Sequence, residues 1–263
     1  MHGAIVCLAA AVLLLMSRVT KYDQGRVVHV GASGEEVGAS VGQLVAELSK
    51  ASIVASGRFT LALSGGSLPK ILEKGLASLK GDVDFSKWHV FFADERCVPL
   101  DHADSNYLAC HDALFQHVAI PRDQIHTIVL SADPAAVAAE YTNQLAGLWG
   151  TTLPRFDLIL LGMGPDGHTC SLFPGHALLD ESSLWVAPIS DSPKPPPQRI
   201  TLTYPVVNNA ATVAFVATGD SKAPLMRHML GLETQMPSLP AARVLPTDGT
   251  LHWFLDTAAA SKL

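Results

Sequence analysis

The stretch "FDLILLGMGPDGH", residues 156–168, decides how this chain is to be read. Its apolar run has the length of a strand and no polar alternation, so it suits a strand in a sheet covered on both faces. The run ends on glycines and a proline, and Gly162, Gly164 and Gly167 stand in G-x-G-x-x-G spacing. A dinucleotide fingerprint would need that turn to open a helix, with an acidic residue about twenty positions on, at the end of the next strand. Here Pro165 and Asp166 lie inside the turn, where Asp166 would put a carboxylate in the pyrophosphate site. Asp180 and Glu181 come before the next strand rather than at its end. The fingerprint reading fails. What remains is a carboxylate two residues from His168, both on a tight loop at a strand end, an arrangement suited to an imidazole steered by a local acceptor.

Outward from this loop, short apolar runs alternate with helix-like spacing. Residues 26–30, 59–63, 88–93, 184–189 and 212–217 read as further strands; residues 34–52, 67–80, 104–118 and 133–149 read as helices. We therefore expect an α/β protein with a single domain: a doubly wound, largely parallel sheet with helices on both faces. In such sheets ligands sit outside the carboxyl ends of the strands, so loops that directly follow strands carry the most weight.

Composition narrows the partners. The chain has 263 residues, 48% hydrophobic and 16% charged, with a net charge of -6, as in a globular protein with a mildly acidic surface. No Lys/Arg block offers the basic face that nucleic acid requires. Cys7, Cys97, Cys110 and Cys170 show no C-x-x-C spacing and read as reduced thiols. Residues 4–16 form an apolar run of signal-peptide length without preceding Lys or Arg and without an A-x-A-like site after it. Two readings stand open for residues 1–26: a secretory signal or anchor, or an alternative extension ahead of a domain over 27–263. We expect a cytoplasmic protein, with the endoplasmic reticulum lumen or secretion as the alternative if residues 4–16 act as a signal. No membrane is expected for residues 27–263, and no heptad or apolar helix face stands out to fix the oligomeric state.

Three further loops carry unusual chemistry. Ser64-Gly65-Gly66-Ser67 lies between a strand and a helix, where glycines admit a ligand to the backbone and a helix N-terminus attracts an anion; a plain turn with a Ser cap is the other reading. Asp94, Glu95 and Arg96 end a strand, either as a structural ion pair or as an active-site carboxylate beside a guanidinium. Residues 192–199, "SPKPPPQR", hold Lys194 and Arg199 on a loop stiffened by proline, which loses less entropy on gripping an anion. The G-x-S-x-G elbow of a serine hydrolase is missing, and so are H-E-x-x-H or clustered His/Cys ligands. Neither metal nor cofactor is expected.

Together "LALSGGSLPKIL" (61–72), "FFADERCVPLDHADSNY" (91–107), "LILLGMGPDGHTCSLFPGH" (158–176) and "APISDSPKPPPQRITLT" (187–203) resemble the glucosamine-6-phosphate isomerase/6-phosphogluconolactonase superfamily, on its lactonase side. The resemblance covers nearly everything from Val27 onward. It implies hydrolysis of a small-molecule sugar-phosphate lactone, 6-phospho-D-glucono-1,5-lactone, in the oxidative branch of the pentose phosphate pathway. By the same resemblance His168 is the general base on a water, Asp166 orients it, and Asp94 and Arg96 support the site or its oxyanion. Ser64, Gly65, Gly66 and Ser67, with Lys194 and Arg199, hold the 6-phosphate. Deaminases of the superfamily carry a catalytic glutamate five residues after the histidine, where this chain has Phe173, so lactone hydrolysis is favoured over amino-sugar ring opening. A sugar-phosphate-binding module without catalysis is the remaining alternative; it could do without His168, which this chain keeps.

Overall fold

The computed structural model describes residues 18–21, 26–77, 79, 81–233 and 239–263. The apolar run at 4–16 lies outside these residues. In chain order the strands are β1 (Arg18–Lys21), β2 (Arg26–Gly31), β3 (Phe59–Leu63), β4 (Trp88–Phe92), β5 (Asp94–Arg96), β6 (Leu158–Gly162), β7 (Val186–Ile189), β8 (Arg199–Leu202), β9 (Thr212–Ala217) and β10 (Thr250–Asp256). The helices are α1 (Gly34–Ser56), α2 (Leu68–Ala77), α3 (Asn106–Ala113), α4 (Pro134–Trp149), α5 (Tyr204–Val207) and α6 (Ala223–Met229).

Local chemistry sets the longer helices. Ser33 caps α1 by accepting from Glu36 N, and the Glu36 carboxylate accepts in turn from Ala32 N, so the first turn's donors are satisfied reciprocally. Asp133 caps α4 through Ala135 N, with Pro134 at the first helical position, where its missing N–H costs nothing.

The main sheet has seven strands in the order β1-β2-β10-β9-β6-β3-β4. Every neighbouring pair is parallel except β1 with β2. Period-2 alternation is present but hidden, because both faces are apolar. On β6, Leu158 and Leu160 enter one core with Val37, Val41 and Val45 of α1, Leu72 and Leu76 of α2, and Cys110 of α3. Ile159 and Leu161 enter the other with Val137, Tyr141 and Leu145 of α4 and Met226 and Met229 of α6. The expected helices on both faces are therefore present. Phe215 and Trp253 stack across β9 and β10 with centroids 4.1 Å apart, and truncating Phe215 to Ala would cost about 3–5 kcal/mol.

Three differences from the sequence reading matter. Residues 184–189, expected in the main sheet, supply β7 of a second, antiparallel sheet in the order β5-β8-β7. β10, which the pattern did not single out, lies between β2 and β9 in the main sheet. Arg18–Lys21, assigned on sequence to the extension, pairs antiparallel with β2. Among the described residues no helix is long and apolar enough to cross a membrane.

The topology also locates the site. From β3 the chain passes to β4 on one side, whereas from β6 it passes to β9 and then β10 on the other. β3 and β6 therefore flank the reversal of strand order, and a crevice opens at their carboxyl ends.

Candidate active site

A cleft of about 220 Å3 occupies that position. Ser64–Leu68 after β3, Asp94 and Arg96 of β5, Asn106 of α3, Gly162–Gly164, His168 and Cys170 after β6, Arg199 of β8, and Thr218 and Lys222 after β9 line it.

The loop after β3 presents unpaired donors. The Ser64 Oγ is buried and has no hydrogen-bond partner among the described residues, and neither has the buried Nε of Arg96. Gly65 has no room for a side chain, since a Cβ there would fall 1.9 Å from Asn106 Oδ1. Asn106 cannot step aside cheaply: its Nδ2 donates to the Asp94 carbonyl at 2.7 Å. Gly66 adopts φ +72°, which a side chain would oppose, and the N-terminus of α2 follows directly. Arg96, Arg199 and Lys222 surround this cradle, and among the described residues none of them makes a salt bridge. Burial, and then the positive charge of Arg96, holds Arg199 below its ordinary pKa. Crowded cations without a salt-bridge partner, beside buried donors without a hydrogen bond, suit an anion.

The loop after β6 is built the opposite way. His168 Nδ1 lies 2.5 Å from Asp166 Oδ1. Burial works against the Asp166 carboxylate, but the hydrogen bond and charge of His168, with Lys194, outweigh it and hold the group at about 2. An ionised carboxylate only accepts, so the ring supplies the proton and Nδ1 is the donor. Nε2 is then the basic nitrogen, and it makes no hydrogen bond among the described residues. Burial pushes the His168 pKa down, against Asp166, and Lys194 adds to the lowering, which keeps the ring neutral. The glycine spacing is explained here: a Cβ at Gly164 would lie 2.1 Å from the ring's Nδ1 and Cε1. Phe173 packs on the imidazole with centroids 4.9 Å apart, so an apolar ring fills the position where deaminases of the superfamily are implied to carry a glutamate.

The strand-end charges separate by strand alternation. Asp94 and Arg96 line the cleft, while Glu95 turns to α3 and accepts from Asn106 N, Tyr107 N and Ser105 Oγ as well as Arg96 N. Burial pushes Glu95 up to about 7, although these donors favour its charged form. Asp94 accepts from Ser171 Oγ at 2.8 Å.

The two cations expected at the phosphate from the proline loop take different places. Lys194 is not among the residues lining the cleft; its Nζ sits 3.1 Å from Asp166 Oδ2. Arg199 lines the cleft, but its Nε and NH2 donate to the carbonyls of Lys194, Pro195 and Pro196 and its NH1 to Ser171 Oγ, so it also clamps the proline loop. Sequence reasoning missed Lys222 and Asn106. Lys222 had a readable signal, since "ATGDSK" directly follows β9, itself a recognised strand.

Residues 32–253 match the family described as Glucosamine-6-phosphate isomerases/6-phosphogluconolactonase. The chain is 48% identical over 242 residues to the 6-phosphogluconolactonase of Rattus norvegicus, covering 90% of this chain and 93% of that one. It is 47% identical over 242 residues to that of Homo sapiens, with the same shares of 90% and 93%. Among solved structures, 6-phosphogluconolactonase from Trypanosoma cruzi superposes with a TM-score of 0.78 at 29% identity, covering 94% of this chain and 99% of that one. A monomeric glucosamine-6-phosphate deaminase shares the fold, with a TM-score of 0.72 at 22% identity over 90% of this chain and 99% of that one. The chain therefore belongs to the glucosamine-6-phosphate isomerase/6-phosphogluconolactonase family.

Proposed function

We propose that this protein hydrolyses 6-phospho-D-glucono-1,5-lactone to 6-phospho-D-gluconate, with His168 as the general base. One observation carries the reading: a neutral histidine, oriented through Nδ1 and basic at Nε2, shares a cleft with a socket of unpaired anion-binding donors. The names of the relatives, at 46–48% identity over most of the chain, support the substrate.

Nε2 takes a proton from a water as its oxygen attacks C1. The tetrahedral oxyanion then collapses, C1–O5 breaks, and the imidazolium returns the proton to O5. Asp166 holds the ring's orientation and stabilises the transient imidazolium, while Arg96 offers charge to the oxyanion or the phosphate. The 6-phosphate sits against Ser64, Gly65, Gly66 and Ser67 with Lys222 and the remaining NH1 hydrogen of Arg199, far from the bond that breaks. Its binding energy positions the lactone. A monomer follows the family resemblance, whose members need no partner subunit for the site, and the metabolic relatives support a cytoplasmic setting.

The test is hydrolysis of freshly generated lactone by the full chain and by His168→Ala, with spontaneous hydrolysis subtracted. Acceleration by the wild type, lost by about 10²–10⁴-fold in a folded variant, is expected. No acceleration by the wild type over the blank overturns the reading.

A further inference from the structure

We infer that Lys194 is a positioning residue for His168, delivered to the back of the Asp166–His168 pair by the loop over 191–199, and that it does not grip the substrate's phosphate. The inference rests on the reading of His168 as the base.

The Nζ contacts of Lys194 lie on the Nδ1 side of the imidazole. Its Nζ is 3.1 Å from Asp166 Oδ1, 3.1 Å from Oδ2 and 3.0 Å from His168 Nδ1. Because Nδ1 already donates to the carboxylate, and an ammonium has nothing to accept with, the approach to the ring is one of charge, not a hydrogen bond. Two consequences follow. The ammonium fixes the Asp166 carboxylate in the orientation that receives Nδ1–H. It also opposes positive charge on the ring, so His168 stays a neutral acceptor. The charges that reach His168 are Asp166 from its own loop, Lys194 from the proline loop and Asp94 from β5.

The loop is anchored at the position that matters. The Lys194 carbonyl accepts from Ser192 Oγ at 2.8 Å and from Arg199 NH2 at 2.9 Å. Arg199 also holds the next two carbonyls, Pro195 and Pro196, at 3.0 and 2.9 Å. At the loop's start Asp191 accepts from His176 Nε2 at 3.0 Å, tying it to the segment that follows His168. A fixed backbone would serve a phosphate ligand as well, so the direction of the side chain decides between the roles: Nζ is held at the Asp166 carboxylate, and Lys194 is not among the residues lining the cleft. The cleft already contains a lysine suited to the phosphate, Lys222.

The two roles separate experimentally with two substrates, 6-phospho-D-glucono-1,5-lactone and unphosphorylated D-glucono-1,5-lactone, given to wild type, K194M and K194R. For a positioning residue, K194M lowers kcat/KM for both lactones by a common factor, roughly tenfold to a hundredfold, and K194R recovers most of it. Removing the cation also eases protonation of the ring, so the His168 titration, followed by NMR of its Cε1 proton, moves up by about half a pH unit or more. The acid limb of kcat/KM follows it. A loss confined to the phosphorylated lactone, expressed as a raised KM with an unmoved titration, overturns the inference. So does wild-type behaviour on both lactones. If the wild type hydrolyses neither lactone, the proposed function falls separately, and the titration of K194M still decides whether Lys194 sets the state of His168. Should K194M misfold, K194Q makes the same comparison.

Discussion

The loops after β3 and β6 are both glycine turns at the same edge of the sheet, one on each strand flanking the reversal of strand order, and they are finished in opposite ways. After β3, Ser64 Oγ is buried without a partner among the described residues, and the glycines bring a bare backbone to the cleft wall. After β6, the polar side chains are engaged with one another, His168 with Asp166 and both with Lys194. In the first loop glycine gives up its side chain to Asn106 and to an incoming anion; in the second, Gly164 gives it up to the protein's own histidine. An unsatisfied polar group is stable only where something outside supplies the partner, so the first loop is a socket. A satisfied, tightly packed group holds its orientation before any ligand arrives, so the second is a preset tool.

The largest effect should come from removing the tool. His168→Ala is expected to lower kcat by about 10²–10⁴-fold while leaving the affinity for the product nearly unchanged, read from steady-state kinetics beside product inhibition. Gly164→Ala should follow, because its Cβ would meet the imidazole at 2.1 Å and push the ring from its position. We expect a loss of about 10²-fold in kcat with a smaller change in KM. Gly65→Ala should do the reverse, driving Asn106 off the Asp94 carbonyl and raising KM more than it lowers kcat. A matching pattern in the two glycine variants would erase the division of labour.

Glu95→Gln sharpens the same contrast from a distance. Both carboxylate oxygens accept from donors, so the amide NH2 would face an N–H or hydroxyl group, at a cost of about 2–3 kcal/mol in urea-induced unfolding. Since Glu95 holds the backbone of Asn106, the residual activity should show its deficit in KM. The smallest expected effect is that of pH. Burial lowers the His168 pKa below its ordinary 6.5, and the protonated ring cannot accept, so activity is lost on the acid side. Blank-corrected kcat/KM should change by about 1.3-fold at most between pH 7 and pH 8. An acid limb centred above 6.5 would contradict the neutral base.

Much of this was legible in the sequence because it resides in single strand-to-loop transitions. The apolar run of β6 and the residues up to His168 are contiguous, so a core strand and the candidate base could be read from one stretch. The Gly162, Gly164, Gly167 spacing was separable from a dinucleotide site by Pro165 and Asp166 inside the turn and by Asp180 and Glu181 lying before the next strand. What could not be read depends on contacts between distant segments. β10 carries Leu251, Trp253 and Leu255 to one core and Phe254 to the other, but His252 and Asp256 break the apolar run that marked the other strands. The pairing of β5 with β8, which sets Arg96 opposite Arg199, is long-range. The direction taken by Lys194 is likewise set by Arg199, Ser192 and Asp166, not by the prolines beside it.

The most direct test of this division is calorimetric titration of the product, 6-phospho-D-gluconate, into His168→Ala and Gly65→Ala side by side. The account predicts wild-type affinity within about twofold for His168→Ala and a loss of about tenfold or more for Gly65→Ala. Equal losses in both variants, or intact binding in Gly65→Ala, would contradict it.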